Sequence, residues 1–170
     1  MDRLNVKRMQ VLEALEETGA DLTVGRIMTA SPSCIEPDTS VLDLIRLFHE
    51  KLFRHLMVVE GGDRLVGVIS DRDVLRCLGP VKAPHAEALT RISAADVMST
   101  DLVTVGPDTP LERAVRIILE QGISCLPILD DGSLVGILTN TDLHVLLETL
   151  LKTVRRPCPE ESLRAVASGP

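Results

Sequence analysis

Apolar positions along this chain switch between two periods, and they do so twice in the same order. Val41, Leu44, Ile45 and Phe48 fall at i, i+3, i+4 and i+7, the spacing of a helix buried along one face, and Leu111, Ala114, Val115 and Ile118 repeat it. After each of these helices come two short apolar runs, Leu56–Val59 with Leu65–Ile69 and Leu126–Leu129 with Leu134–Leu138. A turn carrying acids and glycine joins each pair, which predicts a hairpin. A second helix follows, marked by Val74, Cys77 and Leu78 in the first set and by Leu143, Leu146 and Leu147 in the second, where it continues through Leu150 and Val154. Ahead of each set lies a short β-prone stretch closed by proline, Cys34–Glu36 and Leu102–Val105. The predicted order is β-α-β-β-α, twice.

The two sets align residue for residue. A displacement of 70 residues places Met28 on Met98, Pro37-Asp38-Thr39 on Pro107-Asp108-Thr109, and Leu56 on Leu126. Beyond the Gly62 and Gly132 turns the displacement becomes 69, which matches Gly67 to Gly136 and Asp73 to Asp142. A slip confined to a hairpin turn leaves the strands in place. A unit of about 55 residues buries too little surface to stand alone, so the two are expected to pack on each other as a pseudo-two-fold pair. The fold class is α/β (α+β). Residues 1–23 hold an extra N-terminal helix over 3–18, with Leu4, Val11, Leu12 and Leu15 roughly on one face and Gly19 as its stop. Residues 24–79 form the first repeat, 80–93 a linker with Pro80 and Pro84, 94–154 the second repeat, and 155–170 a loosely held tail with three prolines. Thr109-Pro110-Leu111-Glu112 reads as a cap, a first-turn proline and an N3 acid opening the second repeat's first helix.

Composition narrows the chemistry. Of 170 residues 45% are hydrophobic, yet Phe48 and Phe53 are the only aromatics, so the core must be built from Leu, Val and Ile. The same shortage removes the stacking platforms of single-stranded nucleic-acid binders, and a net charge of −7 removes the basic face that nucleic acid requires. No run of about 18 apolar residues encodes a membrane span, and the N-terminus lacks the apolar stretch of a signal peptide, so a cytoplasmic protein is expected. Cys34, Cys77, Cys125 and Cys158 are widely spaced and form no metal or redox pair. The four histidines are not at metal-site spacings, and no nucleophile-base arrangement, phosphate-binding glycine loop or dinucleotide fingerprint is present, so no enzymatic role and no metal is expected.

The candidate chemistry sits where the third strand of each set hands over to its last helix. Gly67–Asp73 reads Gly-Val-Ile-Ser-Asp-Arg-Asp, and Gly136–Asp142 reads Gly-Ile-Leu-Thr-Asn-Thr-Asp. A hydroxyl followed three residues later by a carboxylate at a helix start addresses the two polar parts of a nucleotide: Ser70 or Thr139 with backbone N–H groups suits phosphate, and Asp73 or Asp142 suits ribose hydroxyls. The same pattern is also a capping box that does no more than begin a helix.

The doubled motif, with the Met28 and Met98 lead-ins, the two Pro-Asp-Thr triplets, Arg54-His55-Leu56 and Ser124-Cys125-Leu126-Pro127, resembles a tandem pair of cystathionine-β-synthase-type (CBS) domains. The resemblance covers roughly residues 24–152. It implies a regulatory module that binds adenosine-containing ligands (AMP, ADP, ATP and relatives) in clefts between the repeats, with no obligatory cofactor, and that forms a homodimer. Carried over residue by residue, it implies that Asp73 and Asp142 hold ribose and that Ser70 and Thr139 contact phosphate. His55 and Cys125, beside Arg54 and Ser124, would line the clefts, and Ser33 and Asp101 would approach the base. The first motif has Arg54, His55 and Arg72 as candidate phosphate partners, whereas Ser124, Cys125, Asn140 and Thr141 at the matching positions offer no cation. The Ser70/Asp73 cleft is therefore expected to bind an anionic nucleotide more tightly. With no effector domain in the chain, the expected action is a conformational shift signalled to a partner in trans. A ligand-free dimerisation scaffold, or the regulatory subunit of a separate enzyme, is the alternative.

Overall fold

The computed structural model describes residues 3–18, 22–51, 53–79 and 86–154. The expected tail, Cys158, Gly19 as the stop of the first helix, and residues 80–85 of the linker with His85 lie outside them. The chain opens with α1 (Arg3–Thr18), the one-turn α2 (Val24–Ile27), β1 (Thr29–Ala30) and β2 (Cys34–Ile35). Then come α3 (Val41–Lys51), β3 (His55–Glu60), β4 (Arg64–Ser70) and α4 (Asp71–Leu78). Two further single turns, α5 (Ala86–Leu89) and α6 (Ala94–Val97), lead to α7 (Leu111–Gln121), β5 (Cys125–Asp130), β6 (Ser133–Thr139) and α8 (Asn140–Val154).

Two small sheets result, ordered β2-β3-β4 and β1-β6-β5, with β2 parallel to β3 and the other pairs antiparallel. The strand period of two sorts their side chains onto opposite faces. Leu56, Val58 and Ile69 turn to α3 and α4, and Leu126, Ile128 and Leu138 turn to α7 and α8. The alternate residues Met57, Val59, Cys125 and Ile137 close the seam between the sheets, with Leu65, Val68 and Leu134 around them. Both faces are covered, which is why β3 and β5 read as continuous apolar runs. The parity that sends Met57, Val68, Cys125 and Ile137 to the seam also sends His55, Ser70, Pro127 and Thr139 there.

Each lead-in crosses to the other repeat. β1 pairs with β6, Thr29 opposite Ile137, while Ser99 bridges Val68 of β4. The Pro-Asp-Thr triplets act as carbonyl shelves for these crossings. Gly25 N donates to Pro107 O at 2.8 Å and Val24 N to Thr109 O at 2.9 Å; Ala95 N donates to Pro37 O at 2.9 Å and Ala94 N to Thr39 O at 2.7 Å. These bonds satisfy N–H groups that a helix start leaves without partners. Met28 then lies over Gly136 and Met98 over Gly67, each glycine leaving the space that its methionine fills.

Four local expectations change. Residues 102–105 form no strand; Val105 alone bridges Ile128. In the first repeat Met57 N donates to Ser33 O at 3.0 Å, but Pro127 stands at the position of Met57 and has no N–H to offer Val103. The helix of the second repeat starts at Leu111 with Pro110 at its cap and no side-chain cap from Thr109; Leu111 N donates instead to Leu22 O at 2.8 Å. The buried line of α1 is Val11 and Ala14, while Leu4 and Leu12 are exposed, and on α8 Val145, Leu146 and Thr149 face inward while Leu147 and Leu151 are exposed. Leu89, expected in the linker, is buried in the core of the first repeat. No helix among the described residues is long and apolar enough to cross a membrane.

Candidate functional site

Ser70 and Thr139 end their strands in extended geometry and begin α4 and α8, and both capping boxes are formed. Ser70 N donates to Asp73 Oδ2 at 2.8 Å and Ser70 Oγ to the same oxygen at 2.6 Å; the Thr139 distances to Asp142 Oδ2 are 2.7 and 2.6 Å. One oxygen of each carboxylate is thus committed to the helix start, and the other, Oδ1, distinguishes the two sites.

Asp73 lines an open cleft of about 250 Å³. From the first repeat its walls are His55, Val68, Ser70, Arg72, Asp73 and Arg76. From the second they are Ser99, Asp101, Leu102 and Val103 on the crossing segment, then Gly122, Ile123, Ser124, Cys125 and Pro127. The cleft therefore draws on both repeats. Its floor is tied across the seam by a hydrogen bond of 2.8 Å between His55 Nε2 and Ser124 Oγ. Arg72 is exposed at the rim, and Arg76 Nη1 lies 3.3 Å from Asp73 Oδ1 with its side chain 80% exposed, so it is free to swing toward an anion.

Burial holds the His55 imidazole below its ordinary value, and Arg54 and Arg72 add to this while Asp71 and Asp73 oppose it. The ring is accordingly neutral near pH 7 and leaves the arginines as the cations of the cleft. Burial, reinforced by Asp73, pushes the Cys125 thiol up to about 12, so the residue lines the cleft as an unreactive small apolar group.

The second site is built differently. Asp142 Oδ1 accepts from Thr29 Oγ1 at 3.0 Å and pairs with Lys7 Nζ at 2.8 Å, and only 4% of the Asp142 side chain and 12% of that of Lys7 are exposed. The expectation that this site has no cation is corrected: α1, which belongs to neither repeat, supplies one.

The sequence-derived candidates divide accordingly. His55, Ser70, Arg72, Asp73, Asp101, Ser124 and Cys125 converge on the open cleft, whereas Thr139 and Asp142 lie at the second motif, where the Asp142 side chain is buried against Lys7. Arg54 does not line the open cleft; it is exposed, and its Nε donates to Asp71 Oδ2 at 3.3 Å. Ser33 lies beside β2, where its carbonyl accepts from Met57. By the 70-residue correspondence Ser33 and Arg54 take, on the second side, the places that Val103 and Ser124 take on the first. Arg76, Ser99 and Val68 had not been singled out. A hydroxyl follows each lead-in methionine, Thr29 and Ser99, and that signal could have found Ser99; Val68 is the period-two mate of Ser70. Lys7 has no signal at all, since nothing in its surroundings points to a residue 135 positions away.

The family model for the CBS domain matches residues 24–79 and 94–148. An inosine-5'-monophosphate dehydrogenase of Nitrosopumilus maritimus is 32% identical over 120 residues, which are 70% of this chain but 23% of that protein, so the chain spans about a quarter of its length. Among solved structures, CBSX2 in complex with AMP is 31% identical with a TM-score of 0.62, covering 78% of this chain and 98% of that one. The CBS domain pair of protein MJ0100, in complex with 5'-methylthioadenosine and S-adenosyl-L-methionine, shares the fold at 23% identity, with a TM-score of 0.64 and coverage of 74% and 99%. Two matched repeats, two sheets exchanging their lead-ins and a cleft at their seam make this chain a member of the CBS-domain family, a tandem pair.

Proposed function

We propose that the chain is a sensor of adenosine-containing ligands that takes one molecule into the Asp73 cleft and passes the resulting change in repeat packing to a partner in trans. In this reading Asp73 Oδ1 accepts from the ribose hydroxyls. Ser70 with Arg72 and Arg76 receives the phosphate, and the base lies between the aliphatic walls of Val68, Leu102, Val103 and Ile123, recognised through backbone. The observation that carries the reading is the cleft itself, with a carboxylate, a hydroxyl and two mobile arginines around an aliphatic slot shared by both repeats. An AMP-bound relative at 31% identity supports the choice of ligand class. CBS pairs are regulatory rather than catalytic modules, which agrees with a cleft whose histidine is neutral and hydrogen-bonded and whose thiol is held protonated.

A ligand that touches both repeats can shift their arrangement only by its difference in affinity for two packings. The homodimer and the cytoplasmic setting belong to the same proposal. Scanning calorimetry with AMP, ADP, ATP and S-adenosylmethionine tests it. A ligand at about 100 times its Kd should stabilise the fold by about 2.7 kcal/mol, and Asp73→Ala should remove most of that gain. No shift with any of the four would favour a ligand-free scaffold.

A further inference from the structure

α1 docks on the second repeat with a face that is half polar. Lys7, Gln10, Val11 and Ala14 stand at i, i+3, i+4 and i+7, one side of a helix. Val11 and Ala14 are buried in the second core, at 0% and 3% exposure. Gln10 Nε2 donates to the carbonyls of Arg26 and Met28 at 2.9 and 3.2 Å, and Arg8 forms a two-pronged bond with Glu148 on α8, at 3.1 and 3.2 Å. This scaffolding delivers the Lys7 ammonium to Asp142 and Thr29, the counterparts of Asp73 and Ser99, which line the open cleft.

We propose that α1 is a built-in occupant of the second cleft: Lys7 holds the Asp142 oxygen that corresponds to the ribose-facing oxygen of Asp73, so a ligand can enter there only by displacing α1. The inference rests on the adenosine reading of the first cleft. Three observations support it. The two carboxylates are committed identically through Oδ2 and differ at Oδ1, which an arginine 80% exposed holds at one and a lysine 12% exposed, together with Thr29 Oγ1, holds at the other. The Lys7–Asp142 pair is buried, and a buried ion pair is a poor source of stability compared with apolar packing, so its placement on the docking face argues for a role other than anchoring. Finally, α1 is held by α8, by the crossing segment that carries Arg26 and Met28, and by the second core through Val11 and Ala14, and none of its residues belongs to the seam cluster, so its release frees Asp142 without breaking the contacts between the two sheets. The two clefts then report different events. The first fills without moving α1, and the second couples filling to release of a helix that a partner protein could capture.

Isothermal titration of the full chain with AMP tests this. Wild type is expected to take up one AMP per chain tightly, with a second at least ten-fold weaker, and Lys7→Ala to bring the second to within a few-fold of the first. Two equal events in wild type, or one event unchanged in a folded Lys7→Ala, would overturn the inference while leaving the adenosine reading standing. No binding of AMP, ADP, ATP or S-adenosylmethionine to either protein would overturn both. Hydrogen exchange on wild type covers the case of a variant that does not fold: amides of residues 4–17 should lose protection as AMP is raised past saturation of the first cleft. Protection that holds or increases while a second AMP binds would overturn the inference.

Discussion

A methyl group at Gly67 should be felt both in stability and in the cleft. Its Cβ would lie 2.3 Å from Met98 Sδ, 2.8 Å from Cγ and 3.0 Å from Cβ. The sulfur and Cγ can swing aside, but Met98 Cβ moves only with its backbone, which is fastened one residue on by Val68 N to Ser99 O at 3.1 Å and Ser99 N to Val68 O at 2.9 Å. Overpacking of this kind costs about 1–3 kcal/mol, offset by about 0.5–1 kcal/mol because alanine has less chain entropy to lose on folding than glycine. The expected net loss for Gly67→Ala is about 1–2 kcal/mol. Gly136→Ala should lose less, because its closest contacts are Met28 Sδ, Cγ and Cε at 2.3, 3.1 and 3.2 Å, all beyond the Cβ. Met98→Ala opens a cavity of its own and removes the Sδ and Cγ contacts but keeps the Cβ at 3.0 Å, so the double variant should regain part of the loss and be more stable than additivity predicts by up to about 1 kcal/mol. Urea unfolding followed by far-UV circular dichroism measures this in a chain without Trp or Tyr. A Gly67→Ala within 0.5 kcal/mol of wild type, about the ordinary surface scatter, or strict additivity with Met98→Ala, would refute the reasoning. Because Ser99–Val103 form one cleft wall, the same variant should also weaken AMP binding, with partial recovery in the double variant.

Other outcomes follow from the same geometry. Lys7→Met leaves the Asp142 carboxylate buried without its cation and should cost about 3 kcal/mol, part of it regained when Asp142→Asn is added; a cost within error of zero would mean that the pair is solvated. Because burial lowers the His55 value, the fold favours the neutral ring: that contribution is fully present above the ordinary value of 6.5 and is lost as pH falls through the lowered folded value. Melting temperatures should therefore fall more steeply in wild type than in His55→Gln as pH drops below 6.5; parallel curves would contradict the assignment. Cys34 is exposed, though burial also raises its thiol, and Cys125 is buried with its thiol raised to about 12, so peptide mapping after treatment with a thiol reagent at pH 8 should find Cys34 modified before Cys125, and Cys125 only on unfolding. Fast modification of Cys125 in the folded chain would show the seam to be open.

Much of this architecture is legible in the sequence because it is written in local period. Val41, Leu44, Ile45 and Phe48 fix the inner face of α3 by spacing alone, and the alternation through Leu56, Met57, Val58 and Val59 is consistent with a strand covered on both sides. The duplicated hydroxyl and acid placed both capping boxes correctly for the same reason, since i and i+3 are neighbours on any helix start. What was not legible depends on pairs far apart in the chain. Pro127 removes a donor from a strand 24 residues earlier, and its effect on Val103 becomes visible only once the two are side by side. Leu12 and Leu147 satisfy a helical stripe yet face outward, because which stripe is buried depends on the angle at which α1 meets α8. Arg54 looked like a phosphate partner from its neighbours, but the 70-residue correspondence places it with the other cleft, where the two-fold exchange of groups carries it.

The exchanged lead-ins also bear on the order in which the protein can be made. Everything in the first core, from Ile35 to Met98, is contiguous, so that half can close as soon as residue 99 has left the ribosome. The second core is assembled from two distant pieces, Val11 to Met28 and Val103 to Leu146. Val11, Val24 and Ile27 must stay uncovered until β6 and α8 arrive more than a hundred residues later. A nascent chain stalled between these points would hold one finished half and one adhesive stretch ahead of it, so that the segment made before the first core would fold after it.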